Sequence, residues 1–370
     1  MKLLLCTPYL DIPGVISGGI GMWARNILNY YHTIDSDIRV VPVSYDRKYN
    51  VSETSTVFSR FVYGIRDYMS SILETRKQLK NRDINVLHLC TSAQLSLYKD
   101  LFVLRMAKRF GAKAVVHFHF GRIPELLSTK NWEYRILMKV CKAADSIIVM
   151  DQRSHNALAG LGYKNVNYLP NPLPLSIMQT VDRLKGTGQR VPNKLLFVGH
   201  VIRTKGAIEL VEACKSFDGI ELHVIGKGDA SVVEEMKRIA SEKDNGEWLK
   251  IRGAMPHDDV LRELMSASAF VFPSYTEGFP NVILEAMACG CPIVTTTVGA
   301  IPEMLDIEHG FDYGICVEPQ NTQDFAEGLK QMLSDPAYAS ACAKRSEKRV
   351  NEMYAVPVVW EQLSNIWRNA

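Results

Sequence analysis

The stretch "YTEGFPNVILEAMACG" at residues 275–290 decides how this chain is read. Within it, "NVILEAMA" at 281–288 is apolar except at Asn281 and Glu285, and Gly290 and Pro292 stop it, so it reads as a mostly buried helix. Pro280 suits the first turn, where its missing N–H would have no partner anyway, and Asn281 or Thr276 could cap nearby. Glu277 then lies in the loop before the helix and Glu285 inside it. A carboxylate on a buried helix needs partners. Either Glu285 reaches solvent or a basic residue, or both carboxylates accept hydrogen bonds from the hydroxyls of a polyhydroxylated ligand. In the second case the backbone of residues 279–282 would face that ligand's phosphates.

The flanks of this stretch set the fold class. "AFVFPS" (269–274) precedes it and "PIVTTT" (292–297) follows, both short and β-branched or aromatic. Upstream the alternation continues through "KLLFVGH" (194–200), a helix over 206–216, "IELHVIG" (220–226), a helix over 230–243, "LKIRG" (249–253) and a helix over 257–266. The first half repeats the pattern, with strands at 2–6, 38–44, 86–90, 114–120, 146–150 and 166–170 and helical stretches such as 21–32, 65–80 and 98–110. Strands apolar on both faces suit a parallel sheet covered by helices on each side. Residues 171–193 mix Pro, Gly and polar residues and read as a linker. The expectation is an α/β chain of two Rossmann-like βαβ domains, 1–172 and 173–354, facing a central cleft. A helical tail at 322–349 follows, and a closing helix within 355–370, carrying Trp360 and Trp367, is expected to pack back on the first domain.

Bulk properties exclude several classes of function. The chain has 370 residues, 47% hydrophobic and 22% charged, with a formal net charge of +3, which gives no argument for a nucleic-acid partner. Eight cysteines scatter without the spacing of a zinc site or disulfide scaffold, so reduced thiols in a cytoplasmic protein are expected. "MKLLLC" is cut off too soon for a signal peptide, and no run of about 18 apolar residues suggests a membrane span.

Strand-end loops are where such sheets bind ligands, and two more of them are glycine-rich. "SGGIGMWARNIL" (17–28) carries Gly18 and Gly19 into a helix, where backbone N–H groups and the helix N-terminus suit an anion. "VGHVIRTKGAIEL" (198–210) clusters His200, Arg203 and Lys205 before a helix, cations suited to neutralising a pyrophosphate. The bland alternatives are a plain flexible loop for the first and a solvated surface turn for the second.

Taken together, these segments resemble the retaining glycosyltransferases of the GT4 family (glycosyltransferase group 1), which have the GT-B fold. "EGFPNVILE" (277–285), followed by "AMACGCPIV" and "GAIPE", is the most specific part, with "GHVIRTKG" upstream of it. The resemblance implies a nucleoside diphosphate sugar as donor, a UDP-sugar by expectation, and no cofactor. It implies that Glu277 contacts the donor sugar's hydroxyls and Glu285 the ribose. Gly278, Phe279, Pro280, Asn281 and Val282 would lie along sugar and diphosphate, with Gly226 at the neighbouring strand end. Lys205 would pair with the phosphates, and Gly18 and Gly19 would let the diphosphate approach. Where the family often has an arginine after the glycine, this chain has His200, and Arg203 or His200 itself could supply the second cation. "VVHFHFGR" (115–122) holds the family's strand-end histidine, either His119, our first choice, or His117, which share a face of the strand.

The implied reaction is glycosyl transfer to an acceptor hydroxyl with retention of configuration, by front-face attack. We read no Asp-x-Asp pair holding a divalent metal between phosphates, and the expected enzyme is metal-independent. The acceptor would be a saccharide or lipid-linked saccharide in surface-polysaccharide assembly. Basic and aromatic runs at 60–68 and 131–139 could touch a membrane surface, by expectation its inner face, or a lipid-linked sugar, and could equally be ordinary amphipathic helices. The competing readings are a nucleotide-sugar binder without turnover and a GT-B-fold sugar-nucleotide epimerase.

Overall fold

The computed structural model describes residues 1–9, 18–46, 57–81, 83–186, 189–310 and 313–370, with backbone alone for 57–65 and 81. Residues 47–56 lie outside this set, as do the side chains of residues 60–65 in the basic and aromatic run at 60–68. The chain divides into two compact units, Met1–Pro172 with Val356–Ala370, and Leu173–Ala355. Among the described residues no helix is long and apolar enough to cross a membrane.

The first unit is built on β1 (Lys2–Thr7), β2 (Arg39–Ser44), β3 (Val86–Thr91), β4 (Lys113–Phe118), β5 (Ser146–Val149) and β6 (Val166–Tyr168). They form one parallel sheet in the order β2-β1-β3-β4-β5-β6. β1, β3, β4 and β5 are buried almost throughout, as strands covered on both faces must be. Helix Ser96–Arg109 packs between Val57–Asn81 and Trp132–Ala143, and helix Gly19–Tyr31 packs on Val356–Asn369. The closing helix is tied down by Trp360, whose ring lies 5.7 Å from that of Tyr31, and by Trp367, whose Nε1 donates to His88 Nδ1 at 2.8 Å.

The second unit has β7 (Lys194–Val198), β8 (Glu221–Ile225), β9 (Leu249–Gly253), β10 (Ala269–Phe272), β11 (Ile293–Thr296) and β12 (Ile315–Val317), parallel in the order β12-β11-β10-β7-β8-β9. From β7 the chain runs outward to one side through β8 and β9, and from β10 to the other through β11 and β12. Their shared boundary is a topological switch point, where loops after adjacent strands part and leave a crevice.

Three expectations are corrected. The presumed linker at 171–193 contains helix Leu175–Leu184, whose Ile177, Val181 and Leu184 are buried at helical spacing; its flanking prolines and glycines hid that period. The tail at 322–349 is two helices, Thr322–Ser334 and Pro336–Arg349, broken where Asp335 accepts from Tyr338 N at 2.9 Å and Pro336 opens the second. The edge strand Ile315–Val317 was not read at all, being only three residues long. All eight cysteines are buried and free.

Candidate active site

Lys205 follows β7 and Glu277 follows β10, so both stand at the switch point of the second unit. Their side chains meet: Lys205 Nζ donates to Glu277 Oε1 at 2.5 Å, with Lys205 23% and Glu277 10% exposed. Backbone bonds hold the two loops together. Tyr275 N donates to Thr204 O at 2.9 Å, and the Ser274 hydroxyl donates to the same carbonyl. Lys205 closes a short 3-10 turn, Arg203–Lys205, capped by Gly206 at φ +70. A Cβ at Gly206 would sit 2.1 Å from the Pro273 carbonyl oxygen, so only glycine lets this turn lie against the end of β10. Behind Glu277, Gly299 at φ +56 presses on the Glu277 carbonyl, where a Cβ would come within 2.5 Å, and Ala300 N donates to Gly278 O.

Helix Asn281–Ala288 begins two residues after Phe279, with Pro280 at its N-cap position and no side chain capping it. Neither Asn281 nor Thr276 caps it, contrary to the sequence expectation. The helix N-terminus, the positive end of its dipole, stands at the carboxyl end of β10 beside the crevice. Phe279 is buried and its ring lies 5.9 Å from that of Tyr354, so the side chain anchors the loop and only its backbone is placed to meet a ligand. Val282 is half-buried beside it.

Glu285 has found a basic partner. Its Oε1 lies 3.2 Å from His257 Nε2, the first residue of helix His257–Ser266, with Glu285 14% exposed. The hydrogen bond to Glu285 raises the His257 pKa above its ordinary value against the opposing effect of burial. His257 was missed because nothing local links residue 257 to 285; only the sheet brings β9 and β10 loops to one edge.

The remaining candidates spread out. Arg203 pairs with Glu235 and is largely exposed. His200 is exposed in the same loop. Gly226 N is already bonded to Gly253 O at 2.9 Å, so its N–H is not available to a phosphate. In the first unit, Gly18 is the N-cap of helix Gly19–Tyr31, and a Cβ on either Gly18 or Gly19 would meet nothing within 4 Å. Packing among the described residues does not demand these glycines.

His119 sits just past the end of β4, half-buried, while His117 within the strand is fully buried. Their ring centroids are 3.8 Å apart, under Trp23, whose ring is 4.9 Å from His117 and 5.0 Å from His119. Burial holds His119 down to about 3, helped by His88, so the ring is neutral. His88, Cys90 and His117 present ligand atoms within 4.8 Å of one another, the spacing of a metal cluster. The tautomer argues against it. Trp367 Nε1 is only a donor, so His88 Nδ1 must accept and its proton lies on Nε2, the atom that would have to bind the metal. One Asp-x-Asp does occur, Asp35 and Asp37, ahead of β2 in the first unit; Asp37 pairs with Arg368 at 2.7 Å and its carbonyl accepts from the N-terminus, so its polar atoms are engaged within that unit.

Two six-stranded parallel sheets with helices on their faces make this an α/β protein of GT-B fold. Residues 183–349 match the family model for glycosyl transferases group 1. TuaC of Bacillus subtilis strain 168, by its name a teichuronic acid biosynthesis glycosyltransferase, is 26% identical over 257 residues, 65% of this chain and 62% of its own length. The capsular polysaccharide biosynthesis glycosyltransferase CapM of Staphylococcus aureus is 28% identical over 179 residues, 46% of this chain and 44% of its own. The matches thus span less than two thirds of either relative. Among solved structures, a sucrose-phosphate synthase from Thermosynechococcus elongatus superposes with a TM-score of 0.74 at 18% identity, covering 100% of this chain and 98% of that one. Anabaena HepE in complex with UDP superposes with a TM-score of 0.73 at 15% identity, covering 100% of both chains.

Proposed function

We propose that the protein is a retaining, metal-independent glycosyltransferase of the GT4 kind that moves a sugar from a nucleoside diphosphate sugar to an acceptor hydroxyl. The observation that carries this is the Lys205–Glu277 contact at the switch point, beside the N-terminus of helix Asn281–Ala288. Cleaving the glycosyl–phosphate bond leaves negative charge on the diphosphate, and Lys205 and the N–H groups at Asn281 are arranged to stabilise it. Glu277 holds Lys205 before the donor arrives, then accepts hydrogen bonds from the sugar's hydroxyls while Lys205 turns to the phosphates. Glu285, oriented by His257 through one of its oxygens, takes the ribose hydroxyls. With front-face attack, the departing phosphate oxygen takes the acceptor's proton, so no side chain need serve as nucleophile. Gly18 and Gly19 leave room for the diphosphate, His119 contacts sugar or acceptor, and His200 or Arg203 supplies the second cation.

A UDP-sugar is the donor we favour, in keeping with the UDP bound to the Anabaena neighbour. A saccharide or lipid-linked saccharide is the acceptor class, in keeping with relatives named for capsular and teichuronic acid biosynthesis. The test is calorimetric titration of UDP, GDP and ADP into the wild type and Glu285→Ala. Micromolar binding of one nucleotide, weakened at least about tenfold by the substitution (roughly 1.4 kcal/mol), supports the donor site. Absence of binding, or no effect of the substitution in a folded protein, refutes it.

A further inference from the structure

Three helices of the first unit, Val57–Asn81, Ser96–Arg109 and Trp132–Ala143, pack side by side, and their charges are sorted. Of their described acidic side chains, Asp67, Asp100 and Glu133 are buried and Glu74 is half-buried. Arg76, Lys77, Lys80, Arg105, Lys108, Arg109, Arg135, Lys139 and Lys142 are exposed. Exposed charge on this layer is therefore almost entirely positive, although the whole chain is only at +3.

Large apolar side chains are exposed on the same layer and follow helical spacing. Met69 and Leu73 lead into Arg76 and Lys80; Leu95, Tyr98 and Phe102 lead into Arg105 and Arg109; Trp132 leads into Arg135 and Lys139. Each row starts apolar and ends basic. All three helices return from the carboxyl ends of parallel strands, so they run in the same direction and their apolar ends lie at one edge. Tyr98 and Trp132 join two of the rows, their rings 6.3 Å apart and nearly parallel.

We propose that this face is a docking surface for an anionic lipid bilayer. The apolar ends enter the boundary of the acyl chains, Tyr98 and Trp132 lie at headgroup level, and the basic ends meet the phosphates behind them. Charge complementarity alone would also suit a soluble polyanion. The apolar residues set into the cationic field make a lipid surface the better fit, because a hydrated polyanion gives Leu73 and Phe102 nothing to bury against. This assignment does not depend on the sugar-transfer reading, since no residue of the donor site takes part.

The test is co-sedimentation of the full chain with vesicles of phosphatidylcholine alone, and of phosphatidylcholine with about one third phosphatidylglycerol, a composition that gives a strong negative surface potential. Binding is expected to the anionic vesicles and to fall as salt shortens the screening length. Two variants, Lys77→Glu/Arg105→Glu/Arg109→Glu and Leu73→Ser/Phe102→Ser, should each lower partitioning roughly tenfold or more. Both should keep the wild-type melting temperature and nucleotide affinity, which separates failure of this surface from failure of the donor site. A control reversal on the second unit, Lys237→Glu/Arg238→Glu, should bind as wild type does. The proposal is overturned if the wild type ignores anionic vesicles, if it binds both vesicle types equally, or if the folded variants bind unchanged. Capture by dextran sulfate without vesicle binding would assign the face to a polyanionic saccharide instead.

Discussion

Lys205 Nζ and Glu277 Oε1 stand 2.5 Å apart although 72 residues separate them, because β7 and β10 are neighbours at the point where the sheet reverses direction. Removing either partner leaves the other charge partly desolvated. Lys205→Ala should lower stability by about 1–2 kcal/mol in urea unfolding, and the pair should couple by about 0.5–2 kcal/mol in a double-mutant cycle with Glu277→Ala. Under the proposed chemistry Lys205→Ala also lowers kcat by roughly a hundredfold or more, since it removes charge stabilisation of the leaving diphosphate. Full activity in a folded Lys205→Ala protein would refute the role.

The His257–Glu285 pair makes stability depend on pH with a definite sign. His257 has a folded pKa above its ordinary 6.5, chiefly through the Glu285 hydrogen bond, so the folded state binds the proton more tightly than the unfolded chain. Its contribution is fully present below about pH 6.5 and disappears as pH rises through the raised folded value. His309, raised by its contact with Asp306, has the same sign, so the wild-type curve alone does not isolate His257. The difference between wild type and His257→Gln in urea midpoint should be largest at low pH and shrink through neutrality. A difference that stays flat would show that the pair does not titrate.

Gly19 and Gly206 should respond in opposite ways to alanine. A Cβ at Gly206 would collide with Pro273 O, and its φ of +70 is strained for alanine, so Gly206→Ala should cost about 1–3 kcal/mol and displace Lys205. A Cβ at Gly19 meets nothing within 4 Å among the described residues, and alanine is the better helix former. Gly19→Ala should therefore melt at or above the wild-type temperature while losing sugar transfer, if the glycine exists to admit the diphosphate. Thermal melting beside a transfer assay separates the two effects.

Trp367→Phe tests the return of the chain to the first unit. The substitution keeps most of the apolar surface and deletes the Nε1 donor, leaving the buried His88 Nδ1 without its partner. A loss of about 1–3 kcal/mol is expected, appearing as an earlier unfolding of the first unit. An unchanged denaturation curve would mean that water replaces the indole.

Much of the second unit was legible because its signals are local. The helices Asn281–Ala288 and His257–Ser266 fall on the residues that the apolar period and the Gly and Pro stops assign. Helix Leu175–Leu184 was masked by the prolines and glycines around it, and Ile315–Val317 is too short to display a period. The candidate site was legible as a set of residue types on strand-end loops. Which of them touch was not. Beside Lys205 the sequence offered Arg203 or His200 as a second cation, and it could not show that Arg203 pairs with Glu235 or that the Gly226 N–H bonds to Gly253.

The sequence by itself determined the α/β class, the parallel strands and the loops that matter, because helix and strand periods and backbone punctuation act over a few residues. Only the tertiary structure decided that Lys205 meets Glu277 and that Glu285 meets His257. Those contacts follow from strand order, and strand order depends on how helices bury both faces of a sheet, a constraint shared by the whole unit and written in no single segment.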